Sequence, residues 1–195
     1  IDNLNYLDIN NLSLSLIKNE ITFIIGDNNS GKTTLFKICS GEILLNNVIF
    51  IDGICYNNTV DYYKNIGTVK RVNENSFYFK KDFDLLYIID KNISDLNIYE
   101  KQKLLVVMGI LNNPKVLLMD NPLDILKMDD AINIMNILKK KCNDGLTIVY
   151  FSNNLNYAYF SDRIILFNKH HYIGEYHYQD LYNNDKVFYD NNIEI

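Results

Sequence analysis

The 195-residue chain predicts an α/β domain built around a largely parallel sheet. Three observations carry that expectation. Continuous apolar runs, "ITFII" (21–25), "KVLLMD" (115–120) and "LTIVYFS" (146–152), have the length and character of strands buried on both faces. Helical patterns alternate with them along the chain, as crossover connections between parallel strands require. The first of the runs ends in a loop of small residues that opens directly into a helix.

Each element follows from its own pattern. "LSLSL" (12–16) alternates and predicts a strand with one wet face, and "ITFII" ends at a glycine. A helix is expected from Lys32 to Cys39, with "LFKIC" as its apolar face. "NVIFIDG" (47–53) and "IGTVKRV" (66–72) read as strands, with "VDYYKN" a short helix between them, and 76–95 is mixed. Ile98 to Leu111 is a helix stopped by "NNP", because proline disfavours helical backbone at the preceding residue. "DDAINIMNILKKK" (129–141) is an amphipathic helix. "DRIILFN" and "HHYIGEYHY" close the chain as two antiparallel strands, and the Asn-rich end, 186–195, is expected to fray. No repeat or linker divides the chain, so residues 1–195 are assigned to a single domain.

Composition narrows the function classes. Nearly half the residues are hydrophobic, yet no run of about 18 apolar residues exists to span a bilayer, and no signal peptide is visible, so a soluble protein is expected. A net charge of -5 with scattered Lys and Arg gives no basic footprint, which argues against a nucleic-acid partner. The run Lys139 to Lys141 reads as the solvated end of a helix. Cys39, Cys55 and Cys142 are odd in number and in no metal-ligand spacing, as suits reduced structural thiols in a cytoplasmic setting. His170, His171 and His177 fall in a tyrosine-rich alternating segment and read as a solvated strand face rather than a metal site. The chain starts at Ile1 rather than methionine, which is compatible with a trimmed N-terminus.

The chemistry is concentrated in "GDNNSGKTT" (26–34), which satisfies G-x-x-x-x-G-K-[ST] between a buried strand and a helix. Backbone N–H groups at a helix start must converge on phosphate oxygens, and a Cβ in the bend would crowd them, hence Gly26 and Gly31. Asp27, Asn28, Asn29, Ser30 and Thr34 complete the loop; Asn29 tolerates the positive φ that such a bend demands. Lys32 is expected along the β and γ phosphates as a point charge, and the Thr33 hydroxyl on Mg²⁺. Asp120, at the carboxyl end of a buried strand, faces the crevice where such sheets bind ligands and is the second Mg²⁺ candidate, through water. The competing reading makes Asp120 a turn cap before Pro122.

With the cradle, "LNIYEKQKLLVVMGILNNPKVLLMD" and "LTIVYFSNNLNYAYFSDRIILFNKHHYIGE" in this order, the chain resembles the nucleotide-binding subunit of ABC transporters over nearly its whole length. Leu96, Glu100, Lys101, Gln102 and the Asn-Pro before the strand match the family's signature helix and Walker B strand. "IGTVKRVNENSFYF" (66–79) is similar to a loop of the energy-coupling-factor, cobalt-type members. The resemblance implies a P-loop NTPase fold of the ABC type with an antiparallel β edge, ATP and Mg²⁺ as ligands, and adenine stacked on an aromatic some 20 residues before the cradle, where Tyr6 stands.

The departures from the family pattern are systematic. Asn121 stands where the family has a glutamate that polarises the attacking water, Asn153 in place of the switch histidine, and Arg71 in place of the loop glutamine. Asn97, Ile98 and Tyr99 replace the signature serine and glycines, adding bulk where backbone should approach phosphate. "LDILK", after Pro122, lacks the family's small-residue-then-aspartate pattern. Asp124 is an acid nearby, but it lies past the strand end and reaches the water only through a tight return of the chain. Leu96 follows Arg71 after only 25 positions, so the helical subdomain that docks on the membrane subunit is expected to be shortened.

Three functions are therefore weighed: an ATP-binding subunit of a transporter with weak or absent hydrolysis of its own, an active ABC ATPase, and a non-catalytic interaction module with a vestigial site. The first is favoured, because the groups that hold nucleotide survive while those that position water and charge do not. It implies a second ABC ATPase subunit as partner, in a heterodimer more than a homodimer. It also implies a membrane permease, and a cytoplasmic place, peripheral at the inner face of the cell membrane.

Overall fold

The computed structural model describes residues 1–56, 60–71, 95–183, 186–191 and 193. The mixed stretch 76–94, and with it the expected shortening of the helical subdomain, lies outside the described residues. Two small hairpins flank the main sheet: β1 (Leu4–Tyr6) with β2 (Ile9–Leu12), and β4 (Phe50–Ile51) with β5 (Ile54–Cys55). The main sheet takes β3 (Ile21–Ile25), β6 (Ile66–Lys70), β7 (Val116–Asp120), β8 (Thr147–Ser152), β9 (Arg163–Asn168) and β10 (His171–Tyr176) in the order β10-β9-β3-β8-β7-β6. Strands β9, β3, β8, β7 and β6 are parallel, and β10 adds an antiparallel edge.

Parallel pairing forces crossovers, and α1 (Lys32–Cys39), α2 (Val60–Asn65), α3 (Ile98–Leu111) and α4 (Met128–Asn143) lie between strands in the chain. Alternation along β3 assigns the two faces. Ile21, Phe23 and Ile25 enter one apolar cluster with Ala131, Met135, Leu138 and Cys142 of α4, while Ile24 enters the other with Leu35, Phe36 and Ile38 of α1. Phe23 stacks on Tyr150 of β8 at 4.6 Å between ring centroids, in the middle of the first cluster. Gly109 of α3 passes so close to β6 that a Cβ there would lie 2.6 Å from Val69. Among the described residues no helix is long and apolar enough to cross a membrane.

Four local expectations are corrected. The ladder near the start runs over Ile9–Leu12 rather than 12–16; Leu14 is buried, but its backbone bonds go to Ile1. The expected strand 47–53 is a hairpin, because Asp52-Gly53, both at positive φ, form its two-residue turn. The expected strand 66–72 ends at Lys70, short of Val72, which lies outside the described residues. The polar tail docks rather than frays where it is described. After α5 (Tyr178–Tyr182), α6 (Lys186–Asp190) buries Phe188, Ile193 joins the first cluster, and Asn168 donates to the Asn191 carbonyl at 2.7 Å. Two apolar side chains five residues apart are easily overlooked among so many asparagines.

Candidate functional site

The loop from Gly26 to Gly31 joins β3 to α1, and the backbone explains both glycines. A Cβ at Gly26 would lie 1.8 Å from the Phe167 carbonyl oxygen of β9, a backbone atom that cannot yield. Gly31 has φ of +101°, which L side chains avoid. Asn29 takes φ of 65°, as its tolerance for the left-handed region predicts.

Lys32 folds back over the loop it follows. Its ammonium donates to the carbonyls of Gly26 and Asp27 at 2.7 and 2.6 Å and to the Ser30 hydroxyl at 3.0 Å. Burial pulls its pKa down to about 8, against the opposing fields of Asp27 and Asp120. A buried cation lowered in this way gains from any anion brought beside it.

Asn28, Asn29, Ser30, Gly31, Lys32, Thr33, Thr34, Asp120, Asn121, Asn153 and His170 line one cleft of about 540 Å³ at the carboxyl ends of the parallel strands. Asp120 ends β7, and burial pushes its carboxyl up, opposed mainly by Lys70 and Lys32. The Thr33 hydroxyl and the Asp120 carboxylate share this cleft, and both are hard oxygen donors. One carboxylate with one hydroxyl fits Mg²⁺, which keeps several waters and takes its remaining ligands from phosphate. A second crevice, of about 460 Å³ near the β4–β5 hairpin, is lined mainly by aliphatic and aromatic side chains and lacks the cradle's convergent donors. Tyr6 lies on β1, partly buried against the second apolar cluster, and is not among the residues lining the 540 Å³ cleft.

Three arrangements escaped the sequence reading. Asn153 donates to the Asn28 side chain at 2.8 Å, tying the end of β8 to the cradle. His170, expected on a solvated strand face, sits instead in the β9–β10 turn and lines the cleft. That position was accessible only through topology: with β9 beside β3, the tip of the following hairpin must come up against the loop that leaves β3.

The third is the return of Asp124. A turn over 122–125 brings it back beside Asn121, supplying the tight return that the spacing alone made improbable. Leu126 N–H donates to the Leu123 carbonyl, and Leu123 N–H to the buried Tyr150 hydroxyl. Burial raises the Asp124 carboxyl, while Arg71 and the side chains of Asn154 and Asn121 oppose the rise. Oδ1 of Asp124 and Oδ1 of Asn121 are both buried without a hydrogen-bond partner among the described residues. Arg71 is joined to Walker-type strand β7 by its N–H bond to the Asp120 carbonyl, and the fully buried Gln102 of α3 reaches the neighbouring Lys70 carbonyl at 3.2 Å.

A family model described as ABC transporter matches residues 9–84, a span that contains the cradle. The zinc import ATP-binding protein ZnuC of Rickettsia conorii is 30% identical over 185 residues, covering 85% of this chain and 78% of its own. The solved structure of cbiO1 from Clostridium perfringens, part of the ABC transporter complex cbiONQ, superposes with a TM-score of 0.76 at 18% identity, covering 97% of this chain and 92% of that one. The ATP-binding cassette MJ0796, solved as a dimer in a post-hydrolysis state with ADP and Pi, gives a TM-score of 0.68 at 20% identity, covering 87% and 90% of the two chains. At such identities the structural matches speak for the fold, and the sequence match carries the kinship.

Proposed function

This chain belongs to the ABC transporter ATP-binding family, and from that premise we propose that it is a transporter subunit that holds Mg²⁺-ATP while hydrolysing it slowly or not at all. The observation that carries the reading is the cleft itself, where the loop from Asn28 to Gly31, Lys32, Thr33 and Asp120 line one wall system while an amide, Asn121, follows Asp120. Loop amides from Asn28 to Gly31 and the α1 N-terminus would receive phosphate, with Lys32 exchanging its carbonyl partners for phosphate oxygens. Thr33 and Asp120 would hold Mg²⁺. When bound, the metal neutralises charge on the bridged phosphates. Asn121 has no useful basicity, and a general base is typically worth about 10²- to 10⁴-fold in rate. In Asn153 an amide bonded to Asn28 stands in the switch position, so the cradle is braced where the family carries an imidazole.

ZnuC and cbiO1 are transporter components by name, and by kinship this chain would pair with a second, more complete ATPase subunit and through it with a permease. That arrangement places it at the cytoplasmic face of a membrane. Tyr6 remains our candidate for the adenine contact.

Thermal unfolding with and without Mg²⁺-ATP, followed by phosphate release on the same sample, tests the reading. A ligand at 100 times its Kd stabilises the folded state by about 2.7 kcal/mol, so the midpoint rises while phosphate stays near background. No rise at millimolar nucleotide would leave a vestigial interaction module. One observation favours a second reading, an active ATPase: the half-buried Asp124 carboxylate has returned to Asn121 and could serve as the base. That reading requires turnover at ordinary enzymatic rates, abolished by Asp124→Ser.

A further inference from the structure

Strands β9 and β10 pair Asn168 with His171, which leaves Lys169 and His170 as a two-residue turn. Both have left-handed backbone, φ 45° and 67°, where Asn-Gly is the relaxed choice. Elsewhere this chain meets the same demand with asparagine, since seven of the twelve described non-glycine residues at positive φ are Asn. Histidine, with Asn and Asp, is among the side chains that tolerate this region, so the turn admits an imidazole at the hairpin tip.

The backbone of His170 does what any residue could: its N–H donates to the Ser30 carbonyl at 2.8 Å, fastening the hairpin tip to the cradle. The ring does more. It lies against Gly31 so closely that a Cβ on that residue would be 2.6 Å from Cδ2, and it lines the same cleft as Lys32, Thr33 and Asp120. Its nitrogens make no hydrogen bond with a described residue, so the imidazole brings an uncommitted N–H to the rim of a phosphate-shaped loop.

We propose that His170 is a nucleotide contact of this chain, donating a ring N–H to a phosphate oxygen seated over Gly31. Loop amides at that end of the motif cradle the α and β phosphates, so the contact is shared by ATP and ADP. It adds a side-chain donor from the hairpin side of a cleft in which Asn153 already spends one amide N–H on Asn28. The inference rests on the nucleotide-holding reading above.

Two variants separate the contact from mere packing, with Mg²⁺-ATP and Mg²⁺-ADP affinities read by calorimetry and unfolding midpoints read without nucleotide. His170→Phe keeps a ring against Gly31 and loses the donor, and both affinities should fall about tenfold, the scale of a hydrogen bond to an ionised group. His170→Gly relaxes the left-handed turn and carries no side-chain donor, so its nucleotide-free midpoint should equal or exceed wild type while affinity falls as far. Wild-type affinity in His170→Phe overturns the proposal, and should that variant fail to fold, wild-type affinity in His170→Gly does the same. If the unmodified protein binds neither nucleotide at millimolar concentration, the nucleotide-holding reading falls and the contact with it.

Discussion

In the reading proposed above Asn121 stands where the family's catalytic carboxylate would, and its surroundings decide whether one can be restored. Its N–H donates to the Phe151 carbonyl at 3.0 Å, and its φ is 49°, which asparagine accepts and glutamate resists by roughly 1–2 kcal/mol. Beside it is Asp124, already raised by burial. A glutamate at 121 would share a half-buried site with that carboxylate, and two like charges there cannot both ionise readily. We therefore predict that Asn121→Glu alone gains little, whereas Asn121→Glu with Asp124→Ser raises single-turnover phosphate release by about 10²- to 10⁴-fold. Equal rates in the single and double variants would show that Asp124 does not reach the new base. The sequence made the place of Asp120, Lys32 and Thr33 in the cleft legible because spacing from a strand end fixes it. It could not place Asp124, whose position depends on a turn closed by the Tyr150 hydroxyl from another strand.

The α3 start shows how an element can reuse a residue that a motif has lost. Asn97, in the place of the family's signature serine, accepts from the N–H groups of Tyr99 and Glu100, both at 3.0 Å, and Glu100 closes the box by accepting from Asn97 N–H at 2.9 Å. Asparagine and serine rank alike as helix caps, while alanine in that place costs about 1 kcal/mol. Asn97→Ala should lower the denaturant midpoint by that amount with the slope unchanged, and Asn97→Ser should not. Neither should change nucleotide affinity, because the α3 start does not line the cleft. An unchanged midpoint in Asn97→Ala would deny the cap its weight. Elements whose burial repeats within the segment, α1, α3, α4 and the three buried strands, were readable to within about two residues at each end. Short hairpins at the margin were not, because a two-residue strand such as Phe50–Ile51 is defined by its turn, and Asp-Gly read as a strand ending looks the same in one dimension.

For the whole molecule, three apolar runs and one glycine loop predict most of the architecture, since parallel strands buried on both faces need helices on either side and leave the ligand crevice at their carboxyl ends. What they omit is which hairpin closes that crevice, a matter of strand order rather than of any local pattern. Strand order also bears on assembly. The solved structure with ADP and Pi is a dimer, and the family resemblance implies that the signature end of α3 closes over the nucleotide held by the opposite subunit. Here that end presents Tyr99, about half exposed at 48%, where backbone would have to approach phosphate. Two copies facing each other would place that ring over both cradles, whereas pairing with a complete subunit leaves one of the two sites to be closed by an unaltered signature. Light scattering with saturating Mg²⁺-ATP should therefore return the monomer mass. The slow hydrolysis proposed above sharpens the experiment, because a failure to pair cannot then be blamed on consumed nucleotide. A dimer mass that appears with Mg²⁺-ATP and disappears with ADP would show that Tyr99 yields, and the preference for an unlike partner would be lost.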